Sequence, residues 1–381
     1  MSRFGLFIEV ECKLCGKKSK VISEILKVCA DCIKTRFNEA LPFIKRAHQI
    51  ARSRYNLPPE PPKSSEGLKC VICANKCKIG EGETGYCGLR KNQGNKLVSE
   101  VSANTALMYA YYDPHITNCC ASWFCPGGTG AGYPKYAVKP GPEKGYANYA
   151  VFFYGCNFDC LFCQNPSHKL ISQASKISVE EFVSYILNNE YYTCICYFGG
   201  SPEPHLPFVI NASKKILKEK PKDRIIRICF EWNGCGNPKL VKEVAEIALV
   251  SGGIIKFDLK CFSEELSYAL SGVSNKMAYK NFEMIAKEFF PKRPELPVLT
   301  ATTLLVPGYV TVDEVEKIVK FIASLNPEIP YSLLVFHPDH FMNDMPITPK
   351  TQVEECFRIA KSYLKNVHVG NLHLLNYADM F

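Results

Sequence analysis

From Ala147 onward, short and largely apolar runs alternate with stretches whose apolar residues recur every three or four positions. The runs are Val151 to Tyr154, Cys194 to Phe198, Ile225 to Phe230, Gly253 to Leu259, Val298 to Val306, Tyr331 to Phe336 and Val367 to Val369. Runs of this length, bounded by turn residues, predict buried strands. Between them, Ser178 with Glu181 predicts a capping box, and Val179, Phe182, Val183, Ile186 and Leu187 form one helical stripe. Asn237-Pro238 opens a second helix, with Leu240, Val241, Val244 and Ala248 on one face. Thr311 and Glu314 predict another capping box before a helix to about Leu325, and a further helix is expected from Pro349 to about Leu364. Strand–helix alternation predicts a parallel sheet with right-handed crossovers. About six such units predict an α/β fold, a partial (β/α)6 TIM-type barrel with its chemistry at the carboxyl ends of the strands. No fixed-period repeat is present.

Ahead of this core the pattern is set by cysteines. Cys12-x2-Cys15 and Cys29-x2-Cys32 are two knuckles that suit a tetrahedral zinc ribbon; a redox pair would want a strand–helix setting that is missing here. An amphipathic helix is expected from Phe37 to Tyr55, closing a domain over residues 1–56. Residues 57–67, LPPEPPKSSEG, read as a linker. Cys70, Cys73, Cys77 and Cys87 follow, in a spacing that fits zinc, iron or an auxiliary cluster equally. They begin a cysteine-, glycine- and proline-rich segment over 68–146, before a core over 147–381. Residues 101–147 predict no regular element, because turn residues crowd PGGTGAGYPKYAVKPGPEKG. A loop of this kind suits the mouth of an active site. Cys119, Cys120 and Cys125 within it are too few for a four-thiolate site; they would donate to a neighbouring centre or lie buried without a ligand.

Composition narrows the picture. The chain has 381 residues, 47% of them hydrophobic, enough for a large core. No apolar run approaches the roughly eighteen residues of a membrane span, and MSRFGLFIEVECKLC lacks the zones of a signal peptide. A cytoplasmic location is expected, with no membrane partner. Twenty cysteines there argue for metal sites over disulfides. The net charge of +9 is scattered rather than run-forming, so no specific nucleic-acid partner is expected.

The densest chemistry lies in Val151 to Pro166, VFFYGCNFDCLFCQNP. Gly155 ends the strand, and Cys156, Cys160 and Cys163 follow as C-x3-C-x2-C. Three thiolates on one loop suit a 4Fe–4S cluster whose fourth iron stays open to a small molecule. A zinc knuckle, or cysteines buried as small hydrophobes, is the blander alternative. Phe162 between the last two cysteines and the strand in front give the loop its fuller pattern.

GCNFDCLFCQNP, FGGSPEP, FEWNG, FDLK, TTLLVPG and FHPDH-x4-MPITP together resemble radical S-adenosylmethionine (radical SAM) proteins. The likeness is to the pyruvate formate-lyase activating enzyme-like group, and within it to AmmeMemoRadiSam system proteins. It spans Ala147 to Leu374, and Cys70 to Arg90 resembles the cysteine-rich stretch that precedes the core in such proteins. The resemblance implies a 4Fe–4S cluster on Cys156, Cys160 and Cys163, with Phe162 beside it. It implies S-adenosylmethionine contacts from Gly199, Gly200, Ser201 and Glu203, and from Glu231, Asn233 and Asp258. Glycines at 199 and 200 would admit close backbone approach, Glu231 would accept hydrogen bonds from the ribose, and Lys260 and His337 would pair with the methionine carboxylate or the substrate. The implied reaction cleaves S-adenosylmethionine to methionine and a 5′-deoxyadenosyl radical, which takes hydrogen from a substrate of the protein or peptide class. An electron donor such as ferredoxin or flavodoxin is implied as partner. Two alternatives stand beside it. One is a cobalamin-dependent methylase of the same superfamily, although the D-x-H-x-x-G signature is absent. The other is a non-catalytic zinc and iron–sulfur scaffold.

Overall fold

The computed structural model describes residues 9–380. The expectation about a leader rests partly on residues 1–8, which lie outside the described residues. Nine strands form one sheet: β1 (Thr105–Pro114), β2 (Ala147–Phe153), β3 (Lys176–Ser178), β4 (Tyr192–Phe198), β5 (Arg227–Trp232), β6 (Ile255–Asp258), β7 (Leu299–Leu305), β8 (Tyr331–Val335) and β9 (Val367–Gly370). Their order is β9-β8-β7-β6-β5-β4-β2-β1-β3, and β2 and β4 to β9 run parallel. Seven parallel strands therefore stand where about six were expected. The edge strands β9 and β3 pair with β8 and β1, and the sheet is open by its hydrogen bonds.

The largest departure is β1. Residues 101–147 were expected to hold no regular element, yet Thr105–Pro114 pairs antiparallel along the whole of β2, Met108 opposite Phe153 and Pro114 opposite Ala147. Its run LMYAYY carries the aromatic residues that pack well on a pleated surface, and Tyr109 stacks on Phe152 at 4.8 Å. The turn-rich sequence downstream masked that signal.

Helices cover the outer face: α3 (Val179–Leu187), α4 (Leu206–Glu219), α5 (Pro238–Ser251), α6 (Glu264–Ser271), α7 (Lys276–Glu288), α8 (Val312–Leu325) and α9 (Lys350–Tyr363), preceded in sequence by α1 (Ala30–Thr35) and α2 (Phe37–Ser53). The Ser178–Glu181 capping box forms, and the Asn237 side chain caps α5 through the Lys239 amide. The expected Thr311–Glu314 box does not form, since Thr311 makes no side-chain cap. The buried Glu314 carboxylate instead accepts from the Phe262 and Ser263 amides at 2.8 Å, and so caps α6. Tertiary burial has redirected a residue whose local spacing promised a box.

The N-terminal segment packs on the carboxyl end of the sheet. Leu26, Ile33, Ile44 and Ala47 share one apolar cluster with Leu161, Phe162, Leu270 and Phe336. At the centre of that contact lies a buried charge. Asp159, between two cysteines of the Cys156 loop, is ion-paired with Lys169, receives His48 Nδ1 at 2.8 Å and lies 3.6 Å from Arg52 of α2. Burial alone would raise the Asp159 carboxyl, but His48, Lys169 and Arg52 outweigh it and hold it well below the carboxylate range. Residues 57–67 are irregular as expected but pinned, with the Pro58 carbonyl accepting from Arg52 and the Pro62 carbonyl from the Lys78 amide at 2.8 Å.

Removing one partner of a buried ion pair leaves the others uncompensated, at a cost of about 3–5 kcal/mol. Asp159→Asn is therefore expected to lower the urea midpoint at pH 7 with an unchanged slope. A depressed carboxyl stabilises the fold above its unfolded pKa of about 4, and that contribution fades as pH falls below it. The difference between the two proteins should narrow there. Equal midpoints at pH 7 would refute the role.

Candidate active site

Strand β2 ends at Phe153, and Gly155 turns the chain at φ +79°; a Cβ there would sit 2.8 Å from the Cys87 carbonyl oxygen. Cys156, Cys160 and Cys163 then border a cavity of about 200 Å³. Every parallel strand from β2 to β8 brings residues to it, among them Gly200, Glu231, Asp258, Thr302 and Leu334. Burial raises the thiols of Cys156 and Cys163, the latter to about 11, while Lys169 and Lys260 act against this on Cys163. Metal ligation requires the thiolates, and a positive centre in this cavity would supply what the burial withholds.

Three of the loops are knitted behind the cavity. Asn157 of the cysteine loop and Asn233 exchange side-chain hydrogen bonds at 3.3 and 2.7 Å. Asn233 also donates to Ser201 Oγ at 2.9 Å, and Glu203 accepts from the Gly234 amide at 2.7 Å while bonding Ser201. Burial raises the Glu203 carboxyl to about 7. Gly199 and Gly200 are required by more than ligand approach. Both have positive φ, and a Cβ would lie 1.7 Å from a Phe152 ring carbon at 199 and 2.3 Å from the Phe153 carbonyl at 200.

The expected site residues thus divide. Phe162, Gly199, Gly200, Ser201, Glu231, Asn233, Asp258 and Lys260 line the cavity with the three cysteines. Glu203 does not; its carboxylate is buried in the loop-to-loop network. His337 does not either: its side chain is half exposed and its Nδ1 pairs with Asp339 at 2.9 Å. It follows the β8 strand end, but it does not reach the cavity. Asp258 and Lys260 form an ion pair, with the ammonium 5.5 Å above the Phe162 ring. Burial alone would lower Lys260, but Asp258 and Cys160 raise it. Burial raises Glu231 to about 7 despite Lys256, whose Nζ lies 3.8 Å away.

Sequence reasoning missed Asn157, Asp159, His168, Trp232 and Lys256. The signal for Asp159 was a lone charge in an otherwise apolar cysteine loop. The signal for Lys256 was its alternation with Asp258 and Lys260. His168 Nδ1 and Trp232 Nε1 have no protein hydrogen-bond partner although buried, and both residues line the cavity. The orphaned His168 nitrogen, on a ring whose Nε2 lies 3.7 Å from the Cys163 sulfur, fits a cavity built for a polar cofactor and a thiolate-held cluster.

The other cysteine sets differ in spread. Sulfurs of Cys12, Cys15, Cys29 and Cys32 all lie within 4.8 Å, with Cys12–Cys32 and Cys15–Cys29 each at 3.8 Å. Metal–sulfur bonds of about 2.3 Å in a tetrahedron give edges of about 3.8 Å, so these four are arranged for one ion. Cys70, Cys73, Cys77 and Cys87 surround one small cavity. Among the described residues, neither that set nor Cys156, Cys160 and Cys163 gathers its sulfurs as closely.

Gly200→Ala is expected to lower stability by about 1–3 kcal/mol through left-handed strain and the Phe153 contact, seen as a reduced urea midpoint. An unchanged midpoint would mean the loop relaxes at no cost.

Known proteins bear on this geometry. A family model described as the radical SAM superfamily matches residues 150–322. A protein of Methanocaldococcus jannaschii, whose name proposes a glycyl-radical enzyme activating enzyme, is 30% identical over 219 residues, 56% of this chain and 77% of that one. The pyruvate formate-lyase-activating enzyme of Staphylococcus aureus is 28% identical over 198 residues, 50% of this chain and 74% of that one. A solved domain of a pyruvate-formate lyase-activating enzyme from Bacteroides vulgatus is 21% identical at a TM-score of 0.37, covering 46% of this chain and 98% of that one. The matched span begins inside β2, runs through the three-cysteine loop and ends in α8, and on these findings the chain belongs to the radical SAM superfamily, whose members are iron–sulfur enzymes dependent on S-adenosylmethionine.

Proposed function

We propose that the chain reductively cleaves S-adenosylmethionine in the cavity beside Cys156, Cys160 and Cys163 and uses the 5′-deoxyadenosyl radical to take hydrogen from a protein or peptide. The observation that carries this is the convergence of three thiols, Gly200, Ser201 and the Asp258–Lys260 pair on one cavity at the carboxyl ends of the strands. Supply from every parallel strand between β2 and β8 also favours a sheet curled as a partial barrel.

Each residue has a task. Cys156, Cys160 and Cys163 hold three irons of the cluster. When bound, a cluster held there would supply the single electron that reductive cleavage of S-adenosylmethionine requires. The backbone at Gly199 and Gly200 and Ser201 Oγ receive the methionine amine end. Lys260, kept charged by Asp258, faces the methionine carboxylate. Glu231 and Asp258 face the ribose hydroxyls. Phe162 covers the loop and excludes water. The substrate class rests on the names of the relatives, which are activating enzymes, and is an argument by analogy. A ferredoxin- or flavodoxin-like donor completes the proposal.

For the outer cysteines, the 3.8 Å sulfur edges support zinc at Cys12, Cys15, Cys29 and Cys32. Cys70, Cys73, Cys77 and Cys87, around their one small cavity, suit a second metal site of the zinc or iron class.

Two measurements test these assignments. Anaerobically reconstituted protein with dithionite should release 5′-deoxyadenosine and methionine, and replacing Cys156, Cys160 and Cys163 with Ala should abolish both products. Product formation by that variant, or none from the reconstituted natural chain, overturns the reading. Metal analysis should separately find about one zinc per chain at the N-terminal set, removed by Cys12→Ser with Cys32→Ser. Zinc content unmoved by those changes counts against it.

A further inference from the structure

Beside the proposed cofactor cavity lies a second one of about 240 Å³, and Phe198 and Glu231 line both. Its walls carry an unusual concentration of sulfur: Cys194 and Cys196 of β4, Cys229 of β5, and Cys119 and Cys125 of the insert after β1. Cys120 adjoins it, for the sulfurs of Cys119 and Cys120 and a carboxylate oxygen of Glu231 all lie within 4.8 Å of one another. We propose that Cys119, Cys120 and Glu231 bind one thiophilic divalent cation of the zinc or ferrous class.

The donors are held in place from outside the site. The Cys120 carbonyl accepts from Ser332 Oγ of β8 at 2.9 Å and from Trp123 Nε1 at 3.1 Å, and the Trp123 ring stacks on His368 of β9 at 5.4 Å. The Cys119 sulfur accepts from the Ala121 amide at 3.4 Å. Two vicinal cysteines on a loop are thus clamped against the sheet with their sulfurs toward Glu231.

Charge makes the case for a cation. Two thiolates and a carboxylate carry three negative charges. Lys256 supplies one positive charge, with its Nζ 3.2 Å from the Cys196 sulfur and 3.8 Å from a Glu231 oxygen. A divalent ion balances the remainder. Glu231 has a second oxygen for it, since a carboxylate offers about four lone-pair directions. Two sulfurs exclude the hard cations, magnesium and calcium. Three protein donors are the count of a catalytic rather than a structural zinc site, and the fourth position is left to water or to a donor atom of the substrate. The proposal meets the cofactor reading only at Glu231, so its test uses the cysteines and reads no S-adenosylmethionine chemistry.

The unmutated full chain, prepared anaerobically, is alkylated with iodoacetamide after dialysis against either Zn²⁺ or chelator, and each cysteine is followed by mass spectrometry. A metal-bound thiolate is shielded from alkylation. Zn²⁺ should slow modification of Cys119 and Cys120 by about tenfold or more. In parallel, Cys119→Ser with Cys120→Ser should remove one equivalent of bound Zn²⁺, while the equivalent held by Cys12, Cys15, Cys29 and Cys32 stays and reports that the variant is folded. Alkylation at Cys119 and Cys120 indifferent to Zn²⁺ overturns the proposal whether or not the double variant folds. So does protection that appears only after iron and sulfide are supplied, which would mean a cluster in place of one ion.

Discussion

The cysteine loop depends on one buried carboxylate. Asp159 sits between Cys156 and Cys160, and the groups around it come from two parts of the chain: His48 and Arg52 from α2, Lys169 from the segment after the loop. A carboxylate buried alone would neutralise itself or pull the loop toward solvent. Surrounded in this way it anchors the loop. The N-terminal helix is therefore part of the frame that holds the cysteine loop, although no cavity-lining residue belongs to it. Arg52 extends the reach by donating to the Pro58 and Tyr86 carbonyls, which fixes the Cys70–Cys87 segment to the same point. Gly155, packed against the Cys87 carbonyl, closes the arrangement from the other side.

This frame explains why local patterns were sufficient for some elements and not for others. Each parallel strand stands at its apolar run, because burial on the outer face is written as hydrophobicity. The helices α3 and α5 lie where their stripes and caps place them. Glu314 and Glu203 show the limit. Both stand in motifs with a ready local meaning, a capping box and a cofactor loop, and both carboxylates are used instead to satisfy amides of a different segment. A buried acid takes the strongest donors within reach, and which donors those are is set by tertiary approach, invisible in spacing. His337 fails for the opposite reason: strand-end placement gives position along the sheet but not the direction of the side chain.

The inner face of the sheet was legible in part. Arg227, Cys229 and Glu231 alternate with Ile228, Phe230 and Trp232; Lys256 and Asp258 alternate with Ile255 and Phe257. Period-two alternation places the first set on one face and the second on the other. Read as continuous apolar runs, these strands hid a polar interior. In a filled barrel that interior is occupied by bulky branched side chains. Here β4 presents Cys194 and Cys196, small thiols that leave room, and the room is the second cavity.

Glu231 is where the two cavities meet. Burial pushes the carboxyl up and Lys256 pulls it down. Lys256, with one sulfur and one carboxylate in reach, fixes the local charge from the sheet side. The cysteines of the insert approach from the open side, on a loop the sheet itself holds through Ser332. An interior so arranged brings soft donors beside the proposed site of radical formation, while the apolar outer face of the same strands keeps the layer rigid against its helices.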